Sequence, residues 1–494
     1  MLGAIMKQAS EESLDVMGEK LPLVLDLDGT FLRTDLLVEG IVNAFFRRPL
    51  SLFAAMPLAL VSRARFKQRI AAITQLDIDS LLVNEQVLDF AETERNAGRE
   101  IHLFTAAPQS VADKVAARFG IFSSVVGSTP TLNLKSYRKR DALVERFPDG
   151  YIYAGDARAD LPVWQAAAAA VLVDVPASVA QAVRADDTRV FATFSTPTNH
   201  LRSWRKALRL HQWVKNLLVF VPLLLSHEYL NPPVVLSYLT VFLILSVSAS
   251  GTYILNDLAD LSDDRRHRTK RNRPFAAGKL NPLMGLFVSI VVILGGLIAS
   301  GFVSTGFFIA LFAYLALTLS YSFGLKRIPV LDVVILATLF TLRLVMGTEA
   351  ADAGYSEWLL TFSMFFFLSL SLAKRFVEVS AKAARPMEII SGRGYRGGDH
   401  AFISALGVSS GVASILILVL FLREDAFKVD IYQIEAFLWG IPIFMTLFLG
   451  RIWLLASRGE LNEDPVAFAV KDKVSYLLGI GLVFCMLEAV LIPG

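Results

Sequence analysis

Cysteine is nearly absent. The single one in 494 residues is Cys485, inside the last apolar run. One thiol excludes a disulfide within a monomer and any metal site built on cysteine. Net charge is small, +3 from 48 basic and 45 acidic residues, so where the charges lie says more than their sum, and no nucleic-acid partner is expected. The opening stretch MLGAIMKQASEESLDVMGEK has no apolar run suited to a signal peptide, so the first domain is expected to stay in the cytosol.

What the chain has in excess is apolar surface. It is 54% hydrophobic with a mean hydropathy of +0.53, too apolar for a soluble protein. The excess is uneven. Residues 1–200 read as a soluble α/β domain. From about residue 210 onward, hydrophobic runs near membrane-spanning length dominate.

In the first part, PLVLDL (22–27), EIHLFTAA, YIYAGD and AAVLVDV read as strands, and IFSSVVGS holds a further candidate. Strands alternating with helices imply a parallel sheet with helices on both faces. Residues 36–98 read as mostly helical and include FFRRPLSLFAAMPLALVSRARFKQ. That stretch suits either cap-domain helices or a membrane-surface contact, because basic residues flank its apolar stripe.

Asp26 ends the first strand, where the backbone fans open and ligands bind. A carboxylate there can attack phosphorus and form an acyl phosphate. Asp28 can protonate the leaving oxygen and later take a proton from water. Thr105, at the end of the second strand, can hydrogen-bond a phosphoryl group. Lys139 can pair with its charge, with Lys135 as the alternative lysine. Asp156 and Asp160, in GDARAD, are placed to hold Mg²⁺ with Asp26, and Asp28 is kept in the same candidate metal set.

Together, in this order and each at a strand end, these residues resemble the haloacid dehalogenase superfamily of phosphatases over about residues 20–185. The resemblance implies a Rossmann-like α/β fold with a helical cap at about residues 36–98. It makes Asp26 the nucleophile, Asp28 the acid/base, Thr105 and the lysine phosphate-binding, and Asp156 a metal ligand supported by Asp160.

The second part shows nine apolar segments, near 213–227, 233–255, 283–302, 304–323, 329–347, 357–376, 401–422, 436–456 and 474–492. Loops after the second, fourth, sixth and eighth segments hold nearly all the Lys and Arg. Those after the odd-numbered ones hold Arg423 and Lys428. By the positive-inside bias the basic loops face the cytosol. A bacterial inner-membrane protein is expected, with the soluble domain and both aspartate motifs on the cytosolic face.

After the second segment comes LNDLADLSDDRRHRTKRNRP. Asp257, Asp260 and Asp264 are spaced to share one helix face. Clustered carboxylates repel unless cations sit between them, and Mg²⁺ bridging a diphosphate is the natural occupant. Asn256 adds a neutral contact, and Lys270, Arg271 and Arg273 follow with Arg265, Arg266 and His267. The NDxxDxxxD motif and the nine segments resemble the UbiA superfamily of intramembrane prenyltransferases over about residues 200–494. The implied fold is an all-α nine-helix transmembrane bundle.

Members that use prenyl diphosphates carry a second acidic motif after the sixth segment. Here LAKRFVEVSA places Lys374, Arg375 and Glu378 instead. Lys215 and Asn216 in QWVKN, Tyr321 and Lys326 in YSFGLK, and Arg393 and Arg396 in GRGYR add candidate phosphate contacts. This combination resembles one subfamily, decaprenyl-phosphate phosphoribosyltransferase. That resemblance implies transfer of phosphoribose from phosphoribosyl diphosphate to a polyprenyl phosphate lipid at the bilayer. The competing reading is an aromatic or quinone prenyltransferase fused to a phosphatase of unrelated substrate. Residues 1–20 are expected as a tail, 21–185 as the phosphatase, 186–207 as a linker and 208–494 as the membrane domain. A homo-oligomer stays open.

Overall fold

The computed structural model describes residues 15–16, 19–197, 199–350, 354–390, 393–428, 431–461, 465, 468–469 and 472–491. Most of the expected tail 1–20 lies outside them. The chain divides into two compact units, Met1–Leu208 with Tyr253–Ser289, and Arg209–Thr252 with Ile290–Gly494.

The first unit is built on a parallel sheet of β1 (Leu23–Leu25), β2 (Ile101–Pro108), β3 (Ser124–Ser128), β4 (Ile152–Gly155), β5 (Ala169–Val173) and β6 (Val190–Phe194). Their order is β3-β2-β1-β4-β5-β6. Chain order reverses between β1 and β4, so the crevice beyond their carboxyl ends is the place for a ligand. Burial of both sheet faces explains why the inner strands read as continuous apolar runs. Leu23 and Leu25 of β1, with Ile152 and Ala154 of β4, pack into one layer of core. Val24 and Tyr153 face the other layer with Trp164 and Leu172.

β6 and the helix His200–Ala207 occupy the span expected as a linker. β6 is a half-buried edge strand, so VFATF, set between polar runs, lacks the long apolar signature of the inner strands. The cap inserted after β1 consists of the helices Leu36–Arg47, Pro49–Val61 and Arg63–Ile73. Asp35 caps the first, accepting from the amides of Leu37 and Val38 at 2.8 and 3.1 Å, and Ser62 caps the third. The three close on a small core of Ala44, Leu52, Ala55, Phe66, Ile70 and Ile73. The cap is shorter than the expected 36–98. The helix Glu85–Asn96 sends Val87 and Ala91 into the core against the sheet.

Among the described residues, eight helices are long and apolar enough to cross a membrane: Pro232–Ala259, Pro282–Gly301, Thr305–Phe323, Leu331–Thr348, Glu357–Ser380, Gly397–Glu424, Glu435–Ser457 and Lys473–Val490. The stretch expected as the first of nine is different in kind. It is a 3₁₀ run, Leu210–Phe220, followed by one short α-helix, Val221–Leu225, with Pro222 at its start. In the second unit the helices are apolar all round. Phe340 and Phe367 stack inside at 4.5 Å between ring centres, while Phe302, Leu416 and Leu477 lie on the outside. An outer surface as apolar as the core is what a bilayer requires.

Candidate functional site

Asp26 follows β1 directly, and its amide donates to Ala154 O of β4 at 3.0 Å. This bond places its carboxylate at the mouth between the two strands. One oxygen accepts from the Leu27 amide at 2.8 Å. The other lies 2.9 Å from the ammonium of Lys139. Lys139 is buried, and it donates to the Tyr153 hydroxyl at 2.8 Å, which in turn donates to Asp160 Oδ1 at 3.0 Å. Lys135, the alternative, is exposed. Burial pulls Lys139 down, but Asp26 and Asp160 outweigh it and hold the ammonium above its ordinary pKa.

Asp26, Asp156 and Asp160 each present a carboxylate oxygen within 4.8 Å of the others. Burial, then the charges of Asp26 and Asp160, push Asp156 up to about 7. Three hard oxygen donors crowded at that cost are a fitting set for Mg²⁺. The carboxylate of Asp28 stands outside this cluster of three. Its Oδ1 accepts from the Leu36 amide at the start of the cap, at 2.9 Å. Burial first, and the charge of Asp35 next, push it up to about 8, which suits a group that must hold a proton. Gly29, at φ +78°, permits the turn between them, and a Cβ there would fall 2.2 Å from Asp156 Oδ2. Thr105 is buried at the site, its hydroxyl accepting from the Ala107 amide at 3.0 Å.

The second aspartate motif leaves the helix Pro232–Ala259, turns at Asp260, and re-enters a short helix, Leu261–Arg266. The face is only partly continuous. Asp257 and Asp264 are buried, and both accept from Arg273 Nη1, at 3.0 and 2.6 Å. Arg273, expected as a substrate contact, therefore neutralises the two acids. The donor chemistry still fits a hard cation, because the acids are carboxylates that already need a positive charge between them. Asn256 is half-buried beside them, and Lys270 and Arg271 are exposed.

In the second unit Asn216 is buried, donating to Ser246 Oγ at 3.0 Å and accepting from Arg343 Nε at 3.0 Å. Arg343 also donates to Tyr314 OH at 2.9 Å. Lys215 sits over the Phe340 ring at 5.9 Å. Arg375 is fully buried, 2.9 Å from Asp332 and paired with Glu378. Tyr395 OH donates to the same Asp332 at 2.7 Å. Arg393 donates to Tyr321 OH at 2.7 Å. Lys326 and Lys374 are half-buried, and Arg396 is exposed.

The model of the UbiA prenyltransferase family matches residues 217–470, just over half of the chain. The chain belongs to the UbiA prenyltransferase family. An uncharacterized protein of Sinorhizobium fredii is 41% identical, covering 96% of this chain and 93% of its own. The decaprenyl-phosphate phosphoribosyltransferase of Mycolicibacterium smegmatis is 34% identical, covering 58% of this chain and 92% of its own. A solved HAD-family hydrolase of Salmonella enterica serovar Typhi aligns with 35% of this chain and 68% of its own, at 15% identity and a TM-score of 0.27. This UbiA protein is thus a multi-pass membrane protein, with an N-terminal region built on a parallel α/β sheet.

Several polar residues of the UbiA chain were not singled out from sequence. Arg343 lies inside an apolar segment, and an ionisable residue there is by itself a signal. Asp332 carries the same signal more weakly at a segment edge. Lys67 of the cap lines a pocket with Asp28, donating to Ala106 O at 2.9 Å, and burial lowers its pKa. In sequence it is one of several cations along an amphipathic stretch. Arg265 and Arg266, read as part of a basic loop, pair with Glu39 and Asp77 of the N-terminal α/β region.

Proposed function

We propose that this protein transfers 5-phosphoribose from phosphoribosyl diphosphate to a polyprenyl phosphate such as decaprenyl phosphate, and that its N-terminal domain then removes the 5-phosphate. The observation that carries the transferase half is the LAKRFVE segment. Basic residues stand where diphosphate-using members place a second acidic set, alongside similarity to proteins named decaprenyl-phosphate phosphoribosyltransferase. Asp257, Asp260 and Asp264 would hold Mg²⁺, which would neutralise the leaving diphosphate. Asn256, Lys270, Arg271, Lys215, Asn216, Tyr321, Lys326, Lys374, Arg393 and Arg396 are the candidate contacts for the two substrates. Arg375 and Arg273, each already paired with acids, are assigned to shaping the site.

In the phosphatase, Asp26 attacks phosphorus and the sugar oxygen leaves with the proton of Asp28. Asp28 then takes a proton from water as water opens the acyl phosphate. Lys139 pairs with Asp26 and holds its carboxylate in place, and Thr105 orients the phosphoryl group. Asp156 and Asp160, with Asp26, would hold the Mg²⁺ that screens nucleophile from phosphate. A lipid product bearing a 5-phosphate needs such a step before it can serve as a neutral sugar donor, and fusion raises the effective concentration of product at the second site.

The setting is the bacterial inner membrane, with both sites on the cytosolic face. Leu210–Leu225 serves as a ninth crossing. Eleven residues at 3₁₀ rise and five at α rise reach about 30 Å, the thickness of the hydrocarbon core. The cap helix Pro49–Val61 would rest on the bilayer surface. Leu50, Phe53, Leu60 and Val61 are exposed on it, with Arg47, Arg48, Arg63 and Arg65 at its ends.

The test is Asp26→Asn, supplied with phosphoribosyl diphosphate and polyprenyl phosphate. Mass spectrometry should find the 5-phosphorylated lipid accumulating, where wild type yields the dephosphorylated one. Identical lipid masses from the two proteins would refute the coupled steps.

A further inference from the structure

The phosphatase pocket has a wall that the phosphatase sequence does not supply. A cavity of about 430 Å³ runs outward from Asp28 and Asp156, and its far side is formed by Gly278–Pro282, the segment between the second aspartate motif and the next membrane helix. A pentose 5-phosphate alone would leave much of that volume unfilled.

The wall is fixed in place. Phe275 is fully buried and packs edge-on against Trp204 at 6.2 Å. Lys206 Nζ donates to Asn272 O at 3.0 Å. Gly278 takes φ +67°, and a Cβ there would lie 3.0 Å from Leu82 Cδ1 and 3.6 Å from Arg33 Cβ. This close approach sets the backbone of Lys279 beside Arg33.

The cavity lining carries both signs of charge, with Asp28, Asp35, Asp156 and Asp174 beside Arg33, His200 and Lys279. Two of its carboxylates are already engaged by backbone amides. Asp35 accepts from Leu37 and Val38, and Asp174 Oδ1 accepts from the Thr196 amide at 2.5 Å. Arg33 donates there to Thr196 Oγ1 at 3.4 Å, a weak bond that leaves most of its guanidinium donors for other acceptors. Lys279, exposed, lines the same cavity. The reacting phosphate is already served by Lys139, so a second cationic pair implies a second anion on the substrate.

We propose that Arg33 and Lys279 form a subsite for a second phosphate, the phosphodiester that joins the sugar to its lipid. This rests on the coupled phosphatase reading above and names how its substrate is selected. The transferase half thereby supplies a specificity residue to the phosphatase, and a soluble sugar monophosphate lacks the group that the subsite takes.

The test compares full-length wild type, Lys279→Ala, Arg33→Ala and Lys279→Arg in lipid-detergent micelles. Each is assayed on polyprenyl-phosphoryl ribose 5-phosphate and on ribose 5-phosphate. Either alanine variant should raise KM for the lipid substrate about tenfold, with KM for ribose 5-phosphate moving less than twofold, and Lys279→Arg should recover most of the loss. An unchanged lipid KM overturns the subsite, as does an equal rise on both substrates. If wild type hydrolyses ribose 5-phosphate but leaves the lipid substrate intact, the coupled-step reading itself fails and takes the subsite with it.

Discussion

Glu39→Ala should loosen the cap of the phosphatase from the loop that carries the second aspartate motif. Glu39 lies in the first cap helix, and Arg265 follows Asp264 directly. Their contact is bidentate, Nη2 to Oε1 at 2.5 Å and Nη1 to Oε2 at 3.1 Å, with side chains 7% and 4% exposed. Arg265 Nε, also buried, has no hydrogen-bond partner, so the guanidinium leans heavily on this carboxylate. Breaking a buried pair from one side leaves an uncompensated charge and costs about 3–5 kcal/mol. For a body of this size that is a fall of roughly 6–20 °C in midpoint. The double variant Glu39→Leu/Arg265→Met removes both charges and should stay within about 1 kcal/mol of wild type, because nothing charged is left buried. Unfolding of such a protein is commonly irreversible, so the assay is the temperature at which half the phosphatase activity is lost, at one heating rate for all variants. If Glu39→Ala falls within about 2 °C of wild type, the pair is effectively solvated and the reasoning is wrong. It is equally wrong if the single and double variants fall together, since the loss would then come from packing rather than from a stranded charge.

Lys139→Met should lower phosphatase kcat/KM by at least about a hundredfold, and Lys139→Arg should not restore it, because a planar fork cannot replace a point charge shared by Asp26, Tyr153 and Asp160. Steady-state hydrolysis of ribose 5-phosphate decides this, and full activity in the arginine variant would refute it. Asp257→Ala should abolish lipid glycosylation from labelled phosphoribosyl diphosphate while soluble phosphatase activity persists. Chelating Mg²⁺ should abolish both, so transfer surviving either treatment would remove the metal role. A reporter inserted in the 267–272 loop should read as cytosolic and one fused after residue 494 as periplasmic, and the reverse pattern would sink both the nine crossings and the shared face.

Some of this was legible before any coordinates because it is local. The run LVLD is apolar at every residue before Asp26, on faces that meet two different layers, so a buried parallel strand leading into Asp26 follows from its composition alone. The Asp156–Asp160 spacing and the length of the apolar helices are readable for the same reason, since sequence neighbours set strand and helix geometry. β6 was not readable, because an edge strand half in solvent needs no apolar run. The choice of Lys139 over Lys135 was not readable either. Lys135 precedes the helix Tyr137–Arg146 and is exposed, whereas Lys139 sits in its first turn with a buried ammonium 2.9 Å from Asp26, and only the packing of that helix on the sheet decides which lysine points inward. The basic loop was visible as charge, but charge carries no address. That Arg265 meets Glu39 and that Gly278–Pro282 lines the pocket of Asp28 and Asp156 depend on residues far apart in the chain, and that Arg273 turns back to bridge Asp257 and Asp264 depends on how the loop folds. Such pairings are chosen by the burial that folding imposes, where an unpaired charge is too costly to keep, and so they belong to the tertiary structure rather than to any stretch of sequence.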